Sequence, residues 1–443
     1  MGATVEPLPT VVKYGGAALS PEMAPRALED LLGRKGPVVA VVSARAGVTD
    51  QLLACLEPPF RTVRHVETLE EMRLKHPDLP ASGQGYLLAL ERDLKRLRTV
   101  GRATPELSDR ILTYGERLSA GWFAGELQRR GRAAQAVEAD RLGLRTDGTP
   151  GDPRILLSAS AASVRRGLTP LLRRGVLPVV TGFLGRAGDG RVTTLGRGGS
   201  DYSATALAYC LGWARVELVK QSVGLRSADP RLVPGARPVS RLSFDEAEEL
   251  AQFGAKVLHP RTMEPARARG MEVTIRSLED PTQRTLVGPG PGPEPLRALT
   301  LLGPVSLLLL RVPGGRQRRG VLAEVTLALS AGGVTVATLY TSSALLCIVV
   351  ESAQGPRAFR LLKRFTQDEG ATLEGPRPAA LVTAIGEGLL SDLGRLPVGL
   401  PPLVLGASAT SRTLSLAVPA DRGVEVLRAL HQNLVERREA PAG

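Results

Sequence analysis

Several strand-like runs in this sequence end in residues suited to holding anions. VVKYGG, at 11–16, closes a strand with Lys13 and then places Gly15 and Gly16. Glycines let backbone N–H groups approach a phosphate, and a lysine adds a point charge. An ordinary strand-to-loop turn gives the same letters, and the P-loop pattern is not met. VVSARAGVTD, at 41–50, ends a strand in Ser43, Gly47 and Thr49. These could donate to an anionic ligand, or Thr49 or Asp50 could cap a helix. TLGRGGSDYSATALA, at 194–208, is the most specific. Arg197 sits among glycines, and Ser200 or Asp201 opens an alanine-rich helix whose N-terminus attracts anions. Arginine grips a carboxylate bidentately. Asp201 as a plain helix cap is the alternative, and it leaves the arginine unexplained. YGERLSA, at 114–120, puts Glu116 on a helix, either to receive an ammonium or as a solvated acid. In FGAKVLHP, at 253–260, Lys256 and His259 close a helical segment, and His259 reads as structural. LVKQSVGLRSADPR, at 218–231, runs a buried strand into Lys220, Gln221 and a turn.

The elements that must position these residues alternate. Strands are predicted at Thr10–Tyr14, Pro37–Ser43, Leu177–Phe183, Val216–Lys220 and Glu272–Arg276. Between them, helical periodicity covers Pro21–Leu32, Tyr86–Arg98, Pro105–Arg129, Ile155–Arg174, Ser200–Leu211 and Phe244–Gln252. This pattern predicts an α/β domain with a mainly parallel sheet covered on both faces, which binds ligands at the carboxyl ends of its strands. GPGPGPEP at 288–295 reads as a linker. Beyond it, strands at Thr300–Val312, Val334–Tyr340 and Ala344–Glu351 combine with helices at Gly320–Ala331 and Gln354–Glu369. A similar order returns with Ala379–Ala384, helix Gly386–Leu393, Val404–Ser408, Thr413–Pro419 and helix Ala420–Glu436. Two βαββαβ units are expected.

Composition narrows the classes. A chain of 443 residues with 43% apolar residues is globular and holds two or three domains. No apolar run reaches membrane-spanning length, and no signal peptide is evident. Three scattered cysteines, Cys55, Cys210 and Cys347, show no metal spacing and read as reduced thiols of a cytoplasmic protein. The net charge of +13 comes mainly from dispersed arginine, without basic blocks or interleaved aromatics, so neither nucleic acid nor membrane is expected as partner.

Taken in order, KYGG, SARAGVTD, GERLSA, TGFLGR, TTLGRGGSDYSA, SADPR and FGAKVLHPRT resemble the aspartate kinases of the amino-acid kinase superfamily. RGVLAEV at 319–325 and LHQNLVE at 430–436 resemble the family's paired ACT domains, closest to the monofunctional lysine-sensitive type. The resemblance implies a three-layer αβα kinase domain over 1–287, a linker at 288–299, and ferredoxin-like ACT domains over 300–375 and 376–443. The strand near 300–312 could pair with the second ACT domain. It implies transfer of the γ-phosphoryl group of ATP, with Mg²⁺, to the side-chain carboxylate of L-aspartate, the first step of lysine, threonine and methionine biosynthesis. Lys13 and Asp201 would be catalytic. Ser43, Thr49, Glu116, Arg197 and Ser200 would bind aspartate, Arg197 at the α-carboxylate and Glu116 at the α-ammonium. Lys13, Gly15, Gly16, Lys220, Gln221, Arg226, Arg231, Lys256 and Val257 would frame the nucleotide. No dedicated metal ligands are implied. A homodimer through the ACT domains, and lysine as effector, would follow.

The departures from the family pattern cluster. Ala17-Ala18 replaces Thr-Ser, and Val219-Lys220-Gln221 stands where Trp-Thr-Asp is usual. Arg226 replaces a tyrosine, and Ala337 an acidic residue that helps hold lysine. The alternatives to an active aspartate kinase are a weakened or inactive kinase-like regulatory protein and a kinase of another acidic amino acid.

Overall fold

The computed structural model describes residues 8–196, 198–220, 224–254, 259–290, 298–312, 320–342, 345–367, 370–386, 389, 406–410 and 412–436. The chain divides into two compact units. The first comprises residues 1–225, 239–248 and 257–292, and the second 226–238, 249–256 and 293–443.

The first unit is built on an eight-stranded sheet. Its strands are β1 (Thr10–Tyr14), β2 (Val38–Val42), β3 (Ala134–Val137), β4 (Leu177–Thr181), β5 (Arg215–Lys220), β6 (Arg241–Ser243), β7 (Glu272–Ser277) and β8 (Arg284–Gly288). They lie in the order β6-β8-β7-β5-β1-β2-β4-β3, and only the β7–β8 pair is antiparallel. TVVKY and VVAVV are buried at every position, as central parallel strands covered on both faces should be.

Helices α1 (Ala24–Leu32), α2 (Val48–Cys55), α3 (Thr62–Lys75), α4 (Ala81–Val100), α5 (Pro105–Arg129), α6 (Leu157–Arg173) and α7 (Gly199–Leu211) belong to the same unit. Helix α5 starts where the sequence predicts. The Thr104 side chain accepts from the Leu107 N–H, and Pro105 takes the first turn, where no N–H is needed. Helix α7 is buried almost throughout, and its small residues let it lie against β1 and β5. Among the elements that escaped the periodicity are α3, the four-residue edge strand β3, the three-residue β6, and β8, whose RTLVG runs into the glycine-proline cluster. Among the described residues no helix is long and apolar enough to cross a membrane.

The second unit carries a six-stranded antiparallel sheet of β9 (Ala298–Arg311), β10 (Val336–Thr341), β11 (Leu345–Glu351), β12 (Thr372–Ile385), β13 (Gly406–Ala409) and β14 (Thr413–Pro419). The order is β10-β11-β9-β12-β14-β13. Helices α8 (Val321–Ala331), α9 (Gly355–Leu362) and α10 (Gly423–His431) complete it. One apolar cluster joins Leu308, Leu310, Val325, Ile348 and Leu362, and another joins Val382, Leu416, Val418, Leu427 and Leu430. The arrangement is that of paired ACT domains.

The two βαββαβ patterns are therefore not separate sheets. Strands β9 and β12 pair along their lengths, and each lends one half to each pattern. Strand β12 starts seven residues before the predicted Ala379. A register shift between Leu307 and Leu309 of its partner accommodates Gly375-Pro376, which read as loop in the sequence. Most of the helix expected at 386–393 lies outside the described residues.

Candidate functional site

The carboxyl ends of β1, β2, β4 and β5 line up in one edge of the first unit's sheet, and the sequence motifs meet there. Lys13 is the penultimate residue of β1, and its side chain is buried. Its ammonium lies 2.8 Å from Asp201 Oδ1. Lys220, the last residue of β5, pairs with the other oxygen of the same carboxylate.

Asp201 is not the cap of its helix. Gly198 holds the N-cap position with φ +76°, and Asp201 sits in the first turn, where the helix dipole favours its charge. Burial alone would raise the Asp201 carboxyl, but Lys13 and Lys220 outweigh it and hold the group near 2. Burial pushes the Lys13 ammonium below its usual value, Asp201 opposes that shift, and Lys220 adds to it.

Glu116 is buried as well, which rules out a solvated helix acid. Its Oε1 accepts from the Ala44 backbone N–H at 3.0 Å, just beyond β2. That approach depends on Gly115, where a Cβ would stand 2.8 Å from the Ala44 Cβ. Its Oε2 is buried without a donor. Desolvation pushes this carboxyl up to about 8, against the Ala44 N–H and the more distant pull of Lys13.

The loops between are close-packed backbone. Gly15 N–H reaches the Val219 carbonyl at 3.4 Å, and a Cβ on Gly16 would stand 2.7 Å from the Ala44 carbonyl oxygen. Ser43 follows β2, with its N–H on the Tyr14 carbonyl at 3.1 Å. Ser200, buried in the first turn of α7, packs on Gly182 at the end of β4, where a Cβ would stand 2.6 Å from the Ser200 Cβ. Thr49 is half-buried in the first turn of α2. Neither Thr49 nor Asp50 caps that helix, because Gly47 occupies the N-cap in the left-handed conformation. His259 packs against Gly198 and accepts the Arg261 N–H at 3.3 Å, a structural position.

Arg197, Gln221, Lys256 and Val257 lie outside the described residues. Arg226 and Arg231 fall in the second unit. There Arg226 donates to the Ala236 carbonyl at 2.8 Å, and Arg231 forks onto Asp229 at 2.7 and 3.0 Å. The same segment carries a hydrogen-bond relay absent from the sequence reading. The Arg237 N–H donates to Ser227 Oγ, which lies 2.8 Å from His431 Nε2. His431 Nδ1 is 3.0 Å from Glu436 Oε1. The sequence reading also missed the Ala44 N–H as the anchor of Glu116, and Asp201 as the common partner of both lysines.

Two ammoniums on one carboxylate at these strand ends, with a second buried carboxyl whose Oε2 lacks a donor, are charges that can hold a small molecule bearing both phosphate and amine. The comparisons agree with that class. The amino acid kinase family model matches residues 9–277, and the chain belongs to this family. Lysine-sensitive aspartokinase 3 of Escherichia coli is 31% identical over 456 residues, covering 96% of this chain and 99% of the relative. The aspartokinase of Thermus thermophilus is 31% identical over 352 residues, 73% of this chain and 82% of the relative. The crystal structure of E. coli aspartokinase III with aspartate and ADP superposes with a TM-score of 0.84 at 29% identity, covering 96% of this chain and 99% of that one. Within the amino acid kinases, this chain's place is among the aspartokinases.

Proposed function

We propose that the chain transfers the γ-phosphoryl group of ATP to the side-chain carboxylate of L-aspartate, giving 4-phospho-L-aspartate. The observation that carries this reading is the pairing of opposite needs in one buried site. Lys13 and Lys220 on the single Asp201 carboxylate offer positive charge at one place, and Glu116 Oε2 lacks a donor at another. A phosphoryl donor fits the first, and the ammonium of an amino acid fits the second.

The chemistry needs no base. An aspartate carboxylate is ionised at neutral pH, so catalysis consists of positioning two anions and neutralising their repulsion. On this reading Lys13 donates to the transferring phosphoryl group. Asp201 holds Lys13 charged and oriented. Gly15 and Gly16 offer backbone approach to the phosphates. Ser43, Thr49 and Ser200 contribute hydroxyls toward aspartate, and Arg197 takes its α-carboxylate. Lys220, Gln221, Arg226, Arg231, Lys256 and Val257 are assigned to the nucleotide. Among the described residues no three His, Cys, Asp or Glu side chains converge as a cage, and Asp201 is committed to two lysines. Magnesium would therefore travel on the ATP phosphates, adding charge compensation there.

In the second unit, Ala337 packs with the apolar cluster around Tyr340 and Cys347. An amino-acid effector with a homodimer of the ACT type is the regulatory reading, and Ala337 predicts weak inhibition by lysine. The test of the main reading is acyl-phosphate trapping with hydroxylamine at millimolar ATP, using aspartate, glutamate and acetylglutamate in turn. Turnover with aspartate is expected. No turnover with any of the three overturns the kinase reading, and preference for another acid overturns the substrate.

A further inference from the structure

We infer that Lys220 is a second catalytic cation, which compensates charge on the transferring phosphoryl group alongside Lys13 rather than only holding nucleotide. The inference rests on the kinase reading above and assigns a new role within that site.

Register places it. Lys13 pairs with Leu218 of β5, so Lys220 lies one pleat further along and on the same face as Lys13. Asp201 reaches this face from the first turn of α7, and each of its oxygens holds one ammonium. The Lys220 side chain is 19% exposed, so it is not a strand end dissolved in water.

Charge then decides the role. Among the described residues, two ammoniums on one carboxylate leave a surplus of one positive charge. Glu116 does little to offset it, because desolvation pushes its carboxyl up to about 8. An uncompensated charge in a buried site is costly. A bound anion removes that cost, and a transferring phosphoryl group meets it most fully.

The step balances without a proton. A side-chain carboxylate oxygen of aspartate bonds to the γ-phosphorus. The bond from that phosphorus to the β,γ-bridging oxygen breaks, and its electron pair leaves with ADP. The Lys13 and Lys220 ammoniums donate to oxygens of the group in flight and keep their protons.

The experiment is steady-state kinetics of the full chain with Lys220→Met and Lys220→Arg, with melting curves as the folding control. Lys220→Met is expected to lower kcat roughly 100-fold, with the KM for ATP changed less than about fivefold. Lys220→Arg, which keeps the charge in a different shape, is expected to recover roughly tenfold of that loss. A raised KM for ATP at unchanged kcat overturns the inference and leaves Lys220 a ground-state nucleotide contact. Unchanged kcat and KM overturn it in favour of a bystander. Where Lys220→Met does not fold, Lys220→Cys is alkylated with bromoethylamine, which rebuilds a lysine-like ammonium. Recovery of kcat on alkylation supports the role, and no recovery in the folded, fully alkylated protein overturns it. Wild-type protein without aspartate turnover overturns the kinase reading and this inference together. Wild-type turnover with an unaffected Lys220→Met overturns the inference alone.

Discussion

Strand β1 separates two charged clusters, one on each face, and they are built to opposite rules. On the face of Tyr14, Asp30 and Glu217 meet Arg34 and Arg276. The Tyr14 hydroxyl donates to Asp30 at 2.5 Å, and Arg276 spans Asp30 and Glu217 at 2.7 Å each. Two acids balance two arginines. On the face of Lys13, two ammoniums share one acid, and a second acid has an oxygen without a donor. Burial of charge is affordable where partners close the count. The first cluster balances its charges without a ligand. On the proposed reading the second balances only with one, and that difference, rather than the presence of charge, separates a structural network from a site.

The strongest way to break the comparison is Lys13→Met. Roughly a 1000-fold loss of kcat is expected, because the group removed is made for the transition state. The melting temperature should hold or rise, since the variant relieves a surplus positive charge that Asp201 and Lys220 survive as a neutral pair. Stability falling along with activity would place Lys13 in the structural class with the other face.

The converse substitution is Glu217→Gln on the opposite face. It leaves two arginines sharing Asp30, and a loss of about 2 kcal/mol in urea unfolding is expected. The kcat should change less than about threefold. Sign follows from the titration. Burial would raise the Glu217 carboxyl, but Arg34 and Arg276 prevail and hold it below its ordinary 4.5. Its contribution is therefore present above pH 4.5 and lost as the pH falls through the lowered value. The gap between wild type and variant should close on acidification; a gap that persists in acid would assign the loss to packing instead of charge.

The two clusters also differ in how far the sequence reveals them. Lys13, Glu116 and Asp201 were legible because each sits in a local motif, at a strand end, on a helix, or behind glycines. Asp30, Arg34, Glu217 and Arg276 carry no local mark. They span nearly 250 positions in the chain, and only the order α1 over β1, β5 and β7 brings them together. Lys220 falls between these cases. Its position at a strand end was plain, but its partner was not, because Asp201 reads locally as a helix cap. The shared strands β9 and β12 were hidden for another reason. Gly375-Pro376 reads as a break, and a register shift absorbs it.

The smallest expected effect compares one residue type across the two faces. Glu217 titrates below its ordinary value, whereas Glu116 is pushed up to about 8. A bound ammonium beside Glu116 Oε2 favours the ionised form, so binding aspartate at pH 7 should release a proton. By linkage, the affinity for aspartate rises with pH while Glu116 ionises and levels off above about 8. Between pH 7 and 8 the ionised fraction grows roughly fivefold, and the Kd for aspartate should fall by about that factor. Calorimetry in two buffers of different ionisation enthalpy reads the proton directly, and Glu116→Gln should abolish both the release and the slope. A flat Kd from pH 6 to 8 in the wild type would mean that the orphaned oxygen meets no ammonium. The Lys13 face would then keep its phosphate side but lose its claim to an amino acid, because Glu116 Oε2 is the oxygen to which that ammonium is assigned.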